Sequence, residues 1–282
     1  MNKTIRLTVP DWQAGNNPLY YLGSQLLTAL VPNNPNQKIF TVPITAPNED
    51  NTNLTRENGV TAQSIVKKNL QETMKILNNE QPDKVITLGG NCLVSQAPFD
   101  YLHNKYQGHV GILWIDAHPD ISTPKIFPNE HAMVLGNLIH QGDKELEKLV
   151  EHPFSPKEIM YVGLQKPTAD ENKILPDLGI NYQTQNKIDF DKIQTWINEN
   201  NFTKVLIHLD LDALDPKLFH EQYFDQPGVT SYNVSHGALN PNEIMKLLND
   251  LSDKTVGLTI AEYLPWSALQ LKEIMQSSKI FD

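Results

Sequence analysis

The chain has 282 residues, a formal net charge of −10 at neutral pH and a single cysteine. That length holds one large α/β domain or two smaller ones. The acidic balance excludes a general binder of nucleic acid or anionic membrane, and one cysteine excludes an intrachain disulfide framework.

Taken in chain order, residues 1–9 alternate and then meet Pro10 and Asp11, which reads as an opening strand with no signal-peptide core. No run approaches the roughly 18 apolar residues of a membrane span, so a cytoplasmic protein is expected. Residues 46–58 are rich in Asn, Asp and Glu and read as a surface loop. Residues 61–79 carry Ile65, Leu70, Met74, Ile76 and Leu77 at helical spacing. Five strand-like apolar runs follow: Lys84 to Leu88, Val110 to Ile115, Ile159 to Leu164, Lys204 to Leu209 and Thr255 to Ile260. Helical stretches over 189–198 and 241–251 lie between them. The second has Asn240 as a candidate cap and Pro241 in its first turn. Apolar strands alternating with helices predict a three-layer α/β/α sandwich around a mostly parallel sheet, formed by a single domain over 1–282. In such sheets ligands bind beyond the carboxyl ends of the strands.

Two acidic clusters fall at those ends. Asp116-Ala117-His118-Pro119-Asp120 follows one run, and Asp210-Leu211-Asp212-Ala213-Leu214-Asp215-Pro216 follows another. Alternation along an extended backbone lets Asp116, His118 and Asp120 face one side, and Asp210 and Asp212 do the same from their own strand. Four carboxylates sharing a cleft repel one another, and divalent cations relieve that repulsion. Oxygen ligands with one or two nitrogens suit Mn²⁺, with Zn²⁺, Ni²⁺ or Co²⁺ as alternatives. Two such ions lower the pKa of a shared water toward neutrality, which points to hydrolysis at an electrophilic carbon or phosphorus. Taken alone, each cluster also fits a turn or a helix cap, and Asp215-Pro216 reads as a turn or a supporting feature.

These residues resemble the ureohydrolase family of arginases, agmatinases and formimidoylglutamases. The family's motifs are matched in order by Gly89-Gly90-Asn91-Cys92, by Asp116 to Asp120, by Asn129-Glu130-His131-Ala132, by Asp210 to Pro216 and by Ile260-Ala261-Glu262-Tyr263. The match runs from about Lys84 to Trp266. The resemblance implies an arginase-like fold, trimers or hexamers, and two Mn²⁺ ions. It implies that Asp116 and Asp210 bridge the ions, that His118 and Asp212 complete one, and that Cys92 and Asp120 complete the other. It also implies His131, Asp120 and Glu262 as catalytic residues, with His131 shuttling protons and Glu262 holding a guanidinium. Ser122 and Glu171 join Glu262 as substrate contacts. The implied substrate is a small cationic guanidino or amidine compound, and the implied reaction is urea release.

The motif departs from the family at Cys92, where a histidine ligand is usual, and at Asn91, where an acid is usual. A thiolate is a soft ligand for a hard ion. Three outcomes stay open: a softer metal on that side, a weak or absent ion beside a packed thiol, or a protein that has lost the reaction and acts by binding or assembly. Gly163-Leu164-Gln165-Lys166-Pro167-Thr168 lacks the acids that would read an α-amino group. L-arginine is therefore a weaker expectation than the family name suggests, and a formimino compound or other amidine is a further alternative. His208 stands where a small residue is usual, directly before the metal strand.

Overall fold

A computed structural model describes residues 3–180, 182, 185–278 and 280. Its elements are β1 (Thr4–Val9), α1 (Leu19–Leu30), β2 (Lys38–Thr41), the short hairpin β3 (Arg56–Glu57) and β4 (Val60–Thr61), α2 (Gln63–Glu80), β5 (Lys84–Gly89), α3 (Gln96–Lys105), β6 (Val110–Ile115), α4 (Val134–Leu138), β7 (Ile159–Val162), α5 (Glu171–Leu178), α6 (Phe190–Glu199), β8 (Lys204–Asp210), α7 (Pro241–Asp250), β9 (Thr255–Ala261) and α8 (Trp266–Gln276).

Seven strands form one sheet in the order β2-β1-β5-β9-β8-β6-β7, and every pairing is parallel. Side chains divide by period two between its faces. Ile112, Trp114, Ile159, Tyr161 and Leu206 pack with Val66 and Leu70 of α2 and Phe99 and Leu102 of α3. Leu113, Ile115, Met160, Val162, Val205 and Ile207 pack with Ile193, Trp196 and Ile197 of α6 and Ile244 and Leu247 of α7. The sheet is thus covered on both faces, which gives the expected three layers. Fully burying each large apolar side chain contributes on the order of 1.5–3 kcal/mol.

Local chemistry sets the element ends. Asp189 caps α6 by accepting from the Lys192 amide, and Asn240 with Glu243 forms a capping box at α7. β7 stops at Val162, two residues short of the predicted run, because Gly163 turns the chain at φ +86°. α1 and α3 lie outside the predicted helices. Each packs tightly into the core, where tertiary contact stabilises a helix whose own periodicity is weak.

Register brings the strand ends level. Leu88 pairs with Ile260, Ile260 with Leu209, and Leu209 with Ile115. The loops leaving β5, β9, β8 and β6 therefore start side by side. Gly90 locks two of them together: its amide donates to Val9 O at 3.0 Å and its carbonyl accepts from the Glu262 amide at 2.9 Å. A Cβ on Gly90 would lie 1.8 Å from the carbonyl oxygen of Asp11. That contact is backbone, which cannot swing aside. Gly90→Ala is expected to destabilise the fold by about 1–3 kcal/mol or more, read as a lower urea midpoint at unchanged slope.

Candidate metal centre

Each acidic side chain is aimed by its own backbone. Asp116 Oδ1 accepts from the His118 amide at 2.7 Å, and Asp210 Oδ1 accepts from the Asp212 amide at 2.7 Å. These turns fold each cluster back on itself directly beyond its strand. Asp120 and Glu262 both sit in the left-handed region, at φ +49° and +63°. For residues with a Cβ that conformation is strained, and it persists only where surrounding contacts enforce it. The Asp120 carbonyl accepts from the Leu135 and Gly136 amides, and the Glu262 amide is held by Gly90.

The predicted metal ligands and Glu262, joined by His208, which is not among the expected site residues, converge in three overlapping groups. Cys92, Asp116, Asp120 and His208 bring ligand atoms within 4.8 Å of one another, as do Cys92, Asp210 and Glu262, and Asp116, His118 and Asp212. His118 Nδ1 lies 3.2 Å from Asp212 Oδ2 and 3.5 Å from Asp116 Oδ1. Cys92 Sγ donates to Asp210 Oδ2 at 2.8 Å. Trp114 Nε1 donates to Asp116 Oδ2 at 3.1 Å. Asp215 stays apart, where it caps a turn through the Lys217 amide.

The electrostatics follow from crowding in a buried place. Burial first, then neighbouring carboxylates, push Asp120 and Asp210 well above the ordinary carboxylate range. Glu262 is pushed up to about 8 by burial and by Asp212, against the bond from Tyr20. Burial, with Asp210 and Glu262, also pushes the Cys92 thiol well up. For His118 burial works downward, but Asp212 and Asp116 prevail and hold it well above the usual imidazole range. Positive charge is what these groups lack.

Asn91 explains itself in the structure. Its Nδ2 donates to Asp11 O at 2.9 Å and to Asp11 Oδ1 at 3.1 Å, and its Oδ1 accepts from the Leu93 amide. An acid there would face Asp11 without a donor. The amide instead caps the short turn that carries Cys92.

The groups border a cavity of about 550 Å³, within the usual range for small-molecule sites. His131 lies on its wall and donates Nδ1–H to Ala14 O at 3.1 Å. That bond leaves Nε2 as the acceptor, and burial lowers the ring to about 4, so it is neutral at physiological pH. Tyr20 of α1 donates to Glu262 Oε2 at 2.5 Å. The sequence reading missed Tyr20: the contact spans 242 positions, and α1 carries no catalytic motif. Ser122 is buried on the same wall, while Glu171 Oε2 is engaged by the Thr168 amide and hydroxyl at 2.9 and 2.7 Å. One oxygen of the Glu171 carboxylate is therefore committed to the start of α5. Ile126, Phe127, Tyr223 and Phe224 also line the cavity.

The donor set fits divalent ions. Among the described residues, His118 Nε2, Asp120 Oδ2, Asp212 Oδ1 and His208 Nε2 are buried with no hydrogen-bond partner. Buried polar atoms are ordinarily satisfied. Unpaired acceptors beside crowded carboxylates make a place for cations, with His118, Asp116 and Asp212 on one side and Cys92, Asp116 and Asp120 on the other.

Comparison with known proteins bears on the fold and the family. The sequence model of the arginase family matches residues 33–273. An arginase of Staphylococcus aureus (strain COL) is 29% identical over 182 residues, covering 61% of this chain and 59% of its own length. One from Entamoeba histolytica is 32% identical over 120 residues, 40% of each chain. The alignments thus span well under two thirds of these relatives. In three dimensions the chain is similar to the Entamoeba histolytica arginase in complex with L-ornithine, at TM-score 0.70 and 21% identity, covering 94% of this chain and 92% of that one. It is equally similar to the Bacillus caldovelox arginase, at TM-score 0.71 and 19% identity over the same shares. With a parallel sheet of that shape and the family's motif over most of its length, the chain belongs to the arginase family.

Proposed function

We propose that the protein is a binuclear metal-dependent hydrolase that cleaves a linear C–N bond in a guanidino compound and releases urea. The observation that carries this reading is the meeting of Asp116, Asp120, Asp210, Asp212 and Glu262 with His118 at three adjacent strand ends, those of β9, β8 and β6. When bound, the ions supply a water nucleophile at neutral pH. Mn²⁺ suits the oxygen-rich His118 side.

The chain's own residues do the rest. Glu262 pairs with the planar guanidinium through both carboxylate oxygens and so fixes the electrophilic carbon over the carboxylate cluster. Tyr20 holds Oε2 of that carboxylate in place. His131, neutral and with Nε2 open, accepts a proton and returns it to the leaving amine. Ser122 and the open oxygen of Glu171 contact the rest of the substrate.

The absence of acids at Lys166, Pro167 and Thr168, together with the apolar wall of Ile126, Phe127, Tyr223 and Phe224, supports a substrate without an α-amino acid head. A formimino compound or other amidine would use the same residues. The reading includes a cytoplasmic homo-oligomer, trimeric or hexameric. Among the described residues no helix is long and apolar enough to cross a membrane. A second reading, a family member that binds without turnover, draws on the Cys92–Asp210 bond, which engages a carboxylate needed for an ion.

Protein supplied with Mn²⁺, Zn²⁺, Co²⁺ or Ni²⁺ should release urea or ammonia from a guanidine and amidine panel, with simple alkyl guanidines ahead of L-arginine. Silence across all four metals would leave the binding-only reading. Glu262→Gln should lower kcat/KM on the order of 100-fold or more, the effect of leaving a buried cation without its partner. Tyr20→Phe should lower it by about 10-fold, the worth of one hydrogen bond to a charged group, mostly through KM.

A further inference from the structure

The Cys92 side of the centre contains a group that the family motif does not include. His208 is fully buried on β8. Its ring lies flat on Trp114, with centroids 3.7 Å apart and planes 8° from parallel, so its plane is fixed. Nδ1 is 2.8 Å from Ser95 Oγ. Nε2 has no hydrogen-bond partner among the described residues and lies 3.9 Å from Asp116 Oδ2. Asp120 Oδ2, in the same group, is also unpaired. The four candidate ligand atoms of Cys92, Asp116, Asp120 and His208 lie within 4.8 Å of one another.

A core histidine kept for packing would usually pair both nitrogens. Here one nitrogen is paired and the other is aimed, which is the usual state of a ligating imidazole: the far N–H is held by a partner, and that fixes the tautomer and the ring. Ser95 takes that role for Nδ1. A tetrahedral ion with bonds of about 2.0–2.3 Å to N, O and S needs its ligand atoms roughly 3.3–3.8 Å apart, so closing the group takes shifts of an ångström or less. Where the family motif has an imidazole beyond β5 this chain has Cys92, and His208 offers another from β8, with β9 between the two strands.

We propose that His208 Nε2 ligates the ion on the Cys92 side, making that half of the centre a sulfur, nitrogen and two-oxygen site selective for Zn²⁺ over Mn²⁺. This rests on reading the carboxylate cluster as a metal centre and assigns its less conventional half. Thiolate and imidazole suit Zn²⁺, and carboxylates complete its four-coordinate preference. The His118 side keeps no sulfur and retains its preference for a harder ion. The margin by which Zn²⁺ outcompetes Mn²⁺ is therefore larger on the Cys92 side than on the His118 side.

The test uses the full chain stripped of metal and titrated with Zn²⁺, Mn²⁺ or Co²⁺. Nitrogen-15 histidine spectra should move His208 Nε2 to a metal-bound shift on adding diamagnetic Zn²⁺, while Mn²⁺ binding is followed by metal analysis. Co²⁺ should give a thiolate charge-transfer band that disappears in Cys92→Ser. His208→Asn should weaken Zn²⁺ binding at this position by more than the roughly 10–100-fold seen on losing an outer partner of a ligand, while the ion on the His118 side remains. Metal analysis would follow both ions, with circular dichroism as the folding control. If His208→Asn fails to fold, the nitrogen-15 spectrum of the unaltered protein decides alone. Zn²⁺ binding through Cys92 with an unmoved His208 Nε2 overturns this inference and leaves the metal centre standing. No binding of any of the three ions overturns both.

Discussion

Five carboxylates packed at three adjacent strand ends are the constraint around which the rest of this structure is arranged. Asp116, Asp120, Asp210, Asp212 and Glu262 are each 5% exposed or less. Carboxylates this close in a low-dielectric place cannot all ionise unaided. The raised Asp120, Asp210 and Glu262 express that conflict, and so does the raised His118, which supplies nearly the only positive charge within reach. A fold selected for stability alone would not gather them. Burying unpaired acids opposes folding, whereas apolar residues of similar volume would favour it. The arrangement makes physical sense when cations complete it, because binding to the folded form alone adds stability.

The scaffold holds this conflict in place by backbone rather than by side-chain pairing. Level register across β5, β9, β8 and β6 sets the spacing. Tight turns beyond β6 and β8 lock Asp116 and Asp210 through amides two residues on. Left-handed backbone at Asp120 and Glu262 brings two further carboxylates around. Such strain persists where other contacts over-determine it, and here those contacts are amides of α4 and the carbonyl of Gly90. Within that frame Asp120 Oδ2 and Asp212 Oδ1 stay without a partner, which a site that accepts ions requires.

Much of this was legible in the sequence because it is local. Apolar runs ending in acidic clusters named the strands, the face and most of the site. Asn240 followed by Pro241 marked the start of a helix. What escaped is carried by long-range contact. Tyr20 reaches Glu262 from α1, a helix with no motif. Asp11 selects an amide at Asn91 from 80 positions away. Gly90 looked like part of a motif, and only the approach of Asp11 O shows why no side chain fits there. His208 was visible as an oddity before the metal strand. Its aim could not be read until the ring was seen flat on Trp114 and anchored by Ser95.

The substitution of Cys92 then looks less like decay. A damaged site would leave the neighbouring residues as they are in an intact one, with a void or a stray polar atom where the imidazole had been. Instead the thiol is packed at 2% exposure and donates to Asp210, the preceding residue is an amide matched to Asp11, and an imidazole on β8, across β9, has a nitrogen toward the same carboxylates. Three changes that fit one another are coordinated repacking around a charged centre. A thiol raised by burial and by anions loses its proton readily only when a cation binds the sulfur in its place. The chemistry of this half of the centre thus depends on which ion enters, while the half built on His118 and Asp212 keeps the donors of the family motif.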